Sequence, residues 1–214
     1  VTVALNTTGG TTLSAAGSLT VSGTVSGTGS GLTTTSGAAT SFGTTTLAGN
    51  LSTTTTNAAI TQTGALTVAG TTNLTAGTGD ITLNNATNNF VGAVSSSGAN
   101  VSLTDSTGGL VLGATNATGT LSVTSTGGAI TQVSQNQSDA ITAVGGATFT
   151  ASNGATPETR YDVTLTNSYN DFGMLNVTGN AVQVSDRNDV TVALNTTGGT
   201  TLSAAGSLTV SGTV

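Results

Sequence analysis

The chain has 214 residues, no Cys, His or Trp, two cations (Arg160 and Arg187) and a net charge of −6. That composition excludes a disulfide framework and a His- or Cys-built metal centre, and it argues against nucleic acid or an anionic membrane surface as partner, since both need clustered Lys and Arg. About a third of the residues are Thr or Ser and 31 are Gly, yet Val, Leu and Ile recur from end to end, so the chain is read as packed rather than disordered.

Short strands follow one another along the chain: VTVAL at Val1, LTV at Leu19 and Leu66, ITL at Ile81, VSL at Val101, LSV at Leu121, VTL at Val163 and VQV at Val182. Each alternates an apolar, often β-branched residue with Thr, Ser or Gln, which is the period of a strand and not of a helix. Between them lie turn-forming clusters such as STGG, SSSGAN and VTGN. No stretch of eighteen apolar residues suggests a membrane-crossing helix, and no signal-peptide pattern stands at Val1, so the chain is expected to be a soluble, internal segment.

A longer period is superimposed. Ile81, Val101, Leu121 and Ile141 are each twenty residues apart, Leu83, Leu103 and Val123 keep the same spacing, and Val163, Val182 and Leu202 continue it. A second column is expected through Phe90, Leu110, Ile130, Phe149, Phe172 and Val190, giving at least two strands per coil. A coil of twenty residues costs about 1–2 kcal/mol per residue to order and recovers about 1.5–3 kcal/mol per buried Val, Leu, Ile or Phe, so it is stable only when stacked on its neighbours. Stacking strand on strand at about 4.8 Å makes an all-β, parallel β-solenoid. Asn88 against Asn170, and Asn89 against Asp171, occupy matching places in ITLNNATNNF from Ile81 and VTLTNSYNDF from Val163, and are expected to stack as turn ladders. AITQ likewise occurs at Ala59 and again at Ala129.

Residues 190–214 repeat residues 1–25 without a substitution, a period of 190 − 1 = 189 residues. Residues 1–214 are therefore expected to form one continuous solenoid, with 1–189 one full unit of nine or ten coils and 190–214 the start of the next.

The stretches AITQTGALTVAGTTNLTAGTGDITLNNATNNFVGAV from Ala59 and GLVLGATNATGTLSVTSTGGAITQ from Gly109 resemble the repeat region of large bacterial haemagglutinin-like adhesins, both the filamentous-haemagglutinin type of two-partner secretion proteins and related giant autotransporter adhesins. The resemblance implies a right-handed parallel β-helix exported across an outer membrane, displayed at the cell surface or as an extracellular filament, and used for attachment, aggregation or biofilm. The secretion domain and the anchor of that family are expected to lie outside an internal segment of this kind.

Some β-helices cleave polysaccharides with paired carboxylates. The acids here are Asp80, Asp105, Asp139, Glu158, Asp162, Asp171, Asp186 and Asp189. PETRYD, Pro157 to Asp162, is the most site-like cluster and reads as a surface loop with paired charges. SDRND reads as a local ion pair among Asp186, Arg187 and Asp189 at a turn. No catalytic, cofactor or metal residue is assigned, and an enzyme is not expected. Partners are expected to be adjacent repeats of the same chain end to end and other copies in bundled fibres, with a host-cell, bacterial-surface or glycan ligand left open. The alternative is a ligand-binding solenoid, sharpest as an ice binder, but that needs strictly repeated Thr-X-Thr, and the Thr runs at Thr33, Thr44 and Thr53 are irregular.

Overall fold

Because apolar and polar residues alternate, every strand has one face that must leave water, and a short strand achieves this only by curling round onto a shared core. The computed structural model describes residues 1–214 and shows that arrangement as a parallel β-solenoid. One ladder runs its whole length: Leu19, Thr40, Ile60, Ile81, Val101, Leu121, Ala147, Leu175, Val192 and Val210 lie each above the last. Neighbouring coils are joined by main-chain hydrogen bonds, such as those from the Ile81, Val101 and Leu121 amides to the Asn100, Thr120 and Gly146 carbonyls at 2.8–3.0 Å.

Most coils carry three strands, one more than the minimum the spacing demands. The coil that starts at Leu121 is built from Leu121–Ser125, Ile130–Gln132 and Ile141–Ala143. Its inward residues Leu121, Val123, Ile130, Ile141 and Ala143 are almost wholly buried. They belong to a continuous apolar cluster of 41 residues that includes all four phenylalanines, and Phe149 meets Phe172 edge to face at 5.9 Å. At the two ends of the stack the strand edges are open, with Val1 and Val214 each 72% exposed.

Three expected columns are corrected. Ile81, Val101 and Leu121 stack as anticipated, but the residue above Leu121 is Ala147, while Ile141 lies above Thr115 on another face. Phe149 sits above Val123, and Phe172 above Ala143, so neither continues the Leu110–Ile130 column. Leu202 lies above Val184, two residues on from Val182. All three follow from uneven coil length. The step from Leu121 to Ala147 takes 26 residues and that from Ala147 to Leu175 takes 28, because residues 133–140 and 153–161 bulge outward between strands. A fixed twenty-residue spacing drifts onto the wrong face once such a loop is crossed.

The ladder from Leu19 to Val210 contains nine steps for 210 − 19 = 191 residues, so one 189-residue unit makes about nine coils. Val210, rather than Leu208, the copy of Leu19, stands in the Leu19 column. The two identical segments thus differ by two residues in register, about a tenth of a coil, which preserves the inward and outward sense of every side chain.

Candidate functional site

An outward ladder lies beside the inward one on the same face. Thr2, Thr20, Ser41, Thr61, Thr82, Ser102, Ser122, Thr148, Asn176, Ala193 and Ser211 form eleven successive rungs, the first eight of them hydroxyl residues. A second outward column, Thr104, Thr124, Thr150, Thr178, Asn195 and Thr213, runs two residues further along the strands. Ser102/Thr104, Ser122/Thr124 and Thr148/Thr150 consequently form a two-column array with hydroxyls about 4.8 Å apart along the axis and about 7 Å across. These six hydroxyls make no hydrogen bond inside the chain and carry no charge. Thr-X-Thr order therefore exists, and a second outward array passes through the runs at Thr33 and Thr53, where Thr12/Ser14, Thr33/Thr35 and Ser52/Thr54 lie each above the last, so their irregular appearance in the sequence is corrected. The order is assembled from separate coils, and only the register reveals it.

Below this surface the chain buries polar groups in two matching arrangements. Asn88 is fully buried; its Oδ1 accepts from Gln62 Nε2 at 2.8 Å and the Leu66 amide at 2.9 Å, and its Nδ2 donates to Gln62 Oε1 at 2.8 Å and the Leu83 carbonyl at 3.1 Å. Asn170 repeats the pattern with Gln132, the Ile141 amide and the Leu165 carbonyl at 2.8–3.2 Å. Asn88 and Asn170 do not stack on each other; each turns inward and fills the bonding capacity of its own glutamine instead. The neighbouring strand amides of Phe90 and Phe172 are taken by the buried carboxylates of Asp105 and Asp186, at 2.8 and 2.7 Å. Burial pushes both carboxyls above their ordinary range, against the pull of those amides and of the Thr107 and Asn188 amides. Sequence reading named Asp105 only among the acids and gave Asp186 to an ion pair at a turn; the signal that both follow a Phe by about fifteen residues in two copies of one motif was there.

Asp186 is therefore no partner for Arg187. The ion pair expected within SDRND forms between coils, from Arg187 to Asp171 at 2.5 Å, while Asp189 accepts from the Ser207 amide of the next coil. Other exposed polar groups act as the same kind of staple. Asp80 accepts from Asn100, whose Oδ1 accepts from the Thr120 amide and hydroxyl, all at 3.0 Å. In PETRYD, Ser152 and Arg160 both donate to Glu158, which they hold below its usual range. Arg160 extends to the carbonyl and Oδ1 of Asn195 at 2.9 and 2.8 Å, and Asp162 accepts from Asn180 and the Ala181 amide at 2.9 and 3.0 Å. Asp162 is thus engaged in holding coils together, while Glu158 bonds within its own loop to Ser152 and to Arg160, the residue that reaches the next coil. The largest concavities, two of about 320 Å³, are open grooves lined mainly by Ser, Thr, Asn, Gly and Ala.

A stapled stack of parallel coils with uncharged hydroxyl faces is a β-solenoid of the repeat class. Residues 28–97 and 98–178 match the family described as repeats of unknown function, DUF5649, and the chain belongs to it. Each matched segment contains one glutamine–asparagine clasp, Gln62–Asn88 in the first and Gln132–Asn170 in the second. No curated protein and no solved structure matches the chain.

Proposed function

We propose that the chain is a structural stalk segment of a large secreted or cell-surface adhesin of bacterial origin, without enzymatic activity, whose contribution to attachment, aggregation or filament formation is length and rigidity. The observation that carries this reading is the unbroken ladder from Leu19 to Val210, which passes through the junction at Asp189 without a linker. VQVSDRNDVTVAL forms two alternating strands, Val182–Asp186 and Val190–Thr196, joined by the short exposed bend at residues 187–189, and Asp189, Arg187 and Asp186 each bond across coils. A solenoid whose repeat re-enters its own register grows by whole units, each adding about nine steps of about 4.8 Å, or about 43 Å. The resemblance of the Ala59 and Gly109 stretches to haemagglutinin-like repeats supports the same reading.

The test places one, two or three 189-residue units between a cell-surface anchor and a fluorescent tip. Tip height rising by about 43 Å per unit agrees with a stalk; a height that does not follow unit number contradicts it.

A second reading is favoured by one observation, the double array of Ser102/Thr104, Ser122/Thr124 and Thr148/Thr150: an uncharged hydroxyl lattice suited to an ordered hydroxylated surface such as ice or a packed glycan. Replacing Thr124 and Thr150 by Leu abolishes ice-recrystallisation inhibition or glycan retention on this reading, and leaves stalk height unchanged.

A further inference from the structure

The seat beneath residues 190–214 is also complementary to residues 1–25, because the two segments are identical. Val192 and Leu194 lie above Leu175 and Val177, and Thr200–Ala204 pair with Val182–Asp186. In residues 1–25 the same side chains are Val3, Leu5 and Thr11–Ala15.

We propose that the coil formed by residues 174–189 is a docking surface for residues 1–25 of a second copy of this chain, so that separate molecules join head to tail through the pairing seen within one molecule.

Two observations support that occupant. The internal geometry of the two segments is the same: Thr2–Thr7 pair with Thr20–Val25, as Thr191–Asn195 pair with Thr209–Thr213. Gly23 and Gly212, the matching bends, have φ of 107° and 108°, and a Cβ at either would strike the carbonyl of Leu5 or of Leu194. The seat also selects by sequence. Arg160 donates to the carbonyl and Oδ1 of Asn195, whose counterpart is Asn6, and Asn180 Oδ1 accepts from Thr197, whose counterpart is Thr8.

Exchange between the two copies conserves the strand pairs of the joint, as in domain swapping. In the unaltered chain the resident copy is favoured, since a tethered segment acts at an effective concentration of about mM. Removing its fit hands the seat to residues 1–25 of a neighbour, whose own coil stacking continues beyond residue 25. This goes beyond the stalk reading, which concerns continuity within one chain; tip height and oligomer mass fail independently.

The full chain carrying Val192→Asp and Leu194→Asp is to be weighed by light scattering over a concentration series. It is expected to rise to at least twice the monomer mass, and adding Val3→Asp and Leu5→Asp returns it to the monomer. A chain that keeps its strand signature in circular dichroism and stays monomeric at every concentration overturns the proposal. If the two aspartates unfold the chain, the decision passes to chains with intact cores. An Ala4→Cys chain is mixed with an Asn176→Cys chain, warmed until the last coil frays, and treated with a short thiol cross-linker. Those positions become neighbours only when residues 1–25 of one molecule replace residues 190–214 of the other, as Asn176 now neighbours Ala193. A cross-linked heterodimer, suppressed by excess peptide of residues 1–25, is expected; its absence overturns the proposal.

Discussion

Gln62 and Asn88, 26 residues apart, hold each other through two hydrogen bonds of 2.8 Å, one in each direction. Between them the two amides also reach the Leu66 amide and the Gly64 and Leu83 carbonyls, so every strong donor and acceptor direction of Asn88 is occupied. A buried amide in that state positions two coils; half of it alone is costly.

Gln62→Ala should therefore strand Asn88 and cost on the order of 2–4 kcal/mol, since each lost partner of a buried polar group costs about 1–3 kcal/mol. Asn88→Ala should cost a similar amount, and the double variant clearly less than the sum. Chemical denaturation of the four proteins in a double-mutant cycle reads this coupling; additive losses would show that the pair is not a unit.

The buried carboxyls give an unusual pH profile. Asp105 and Asp186 have folded pKa values above the unfolded 3.8, so between those limits the folded state binds more protons than the unfolded. Stability then falls as pH rises through the raised folded values, and is recovered as pH is lowered from 7 towards 3.8. Thermal melts at stepped pH should show a melting temperature that climbs on mild acidification. In the Asp105→Asn/Asp186→Asn variant that climb should be absent.

Val101 lies between Ile81 and Leu121 with 1% of its surface exposed. Val101→Asp places an unpaired charge between two apolar neighbours and should cost on the order of 3–5 kcal/mol, enough to open the middle of the stack. Hydrogen exchange should show amides of residues 81–125 losing protection ahead of those at either end.

Two buried hydroxyls, those of Thr72 and Ser96, have no partner. Thr72→Val keeps the shape and removes the unsatisfied group, so it should stabilise by about 1 kcal/mol. A shift of the denaturation midpoint to higher denaturant at unchanged slope is the expected result.

Legibility in the sequence followed the distance over which each feature is determined. The Ile81, Val101 and Leu121 column could be read because the two coils that join them are of equal length, and local alternation then fixes which side chains face inward. Ile141 could not be placed, because residues 133–140 leave the stack before it and the spacing no longer marks the face. Asn88 and Asn170 were recognisable as equivalent from their shared motif. Their partners were not: Gln62 and Gln132 lie 26 and 38 residues upstream, and AITQ was visible as a repeat without any sign that its glutamine turns to meet an asparagine. The hydroxyl array was missed for the same reason, since Ser122 and Thr148 become neighbours only after a 26-residue excursion.

Continuity across the repeat junction is tested most directly by cryo-electron microscopy of a chain with one further 189-residue unit inserted at Asp189. A straight rod of about nineteen coils, roughly 90 Å long, with strands spaced about 4.8 Å throughout and no change of direction at either junction, is the expected result. Two rods joined at a bend or a gap, or coils whose spacing is interrupted where the 25-residue sequence recurs, would contradict it.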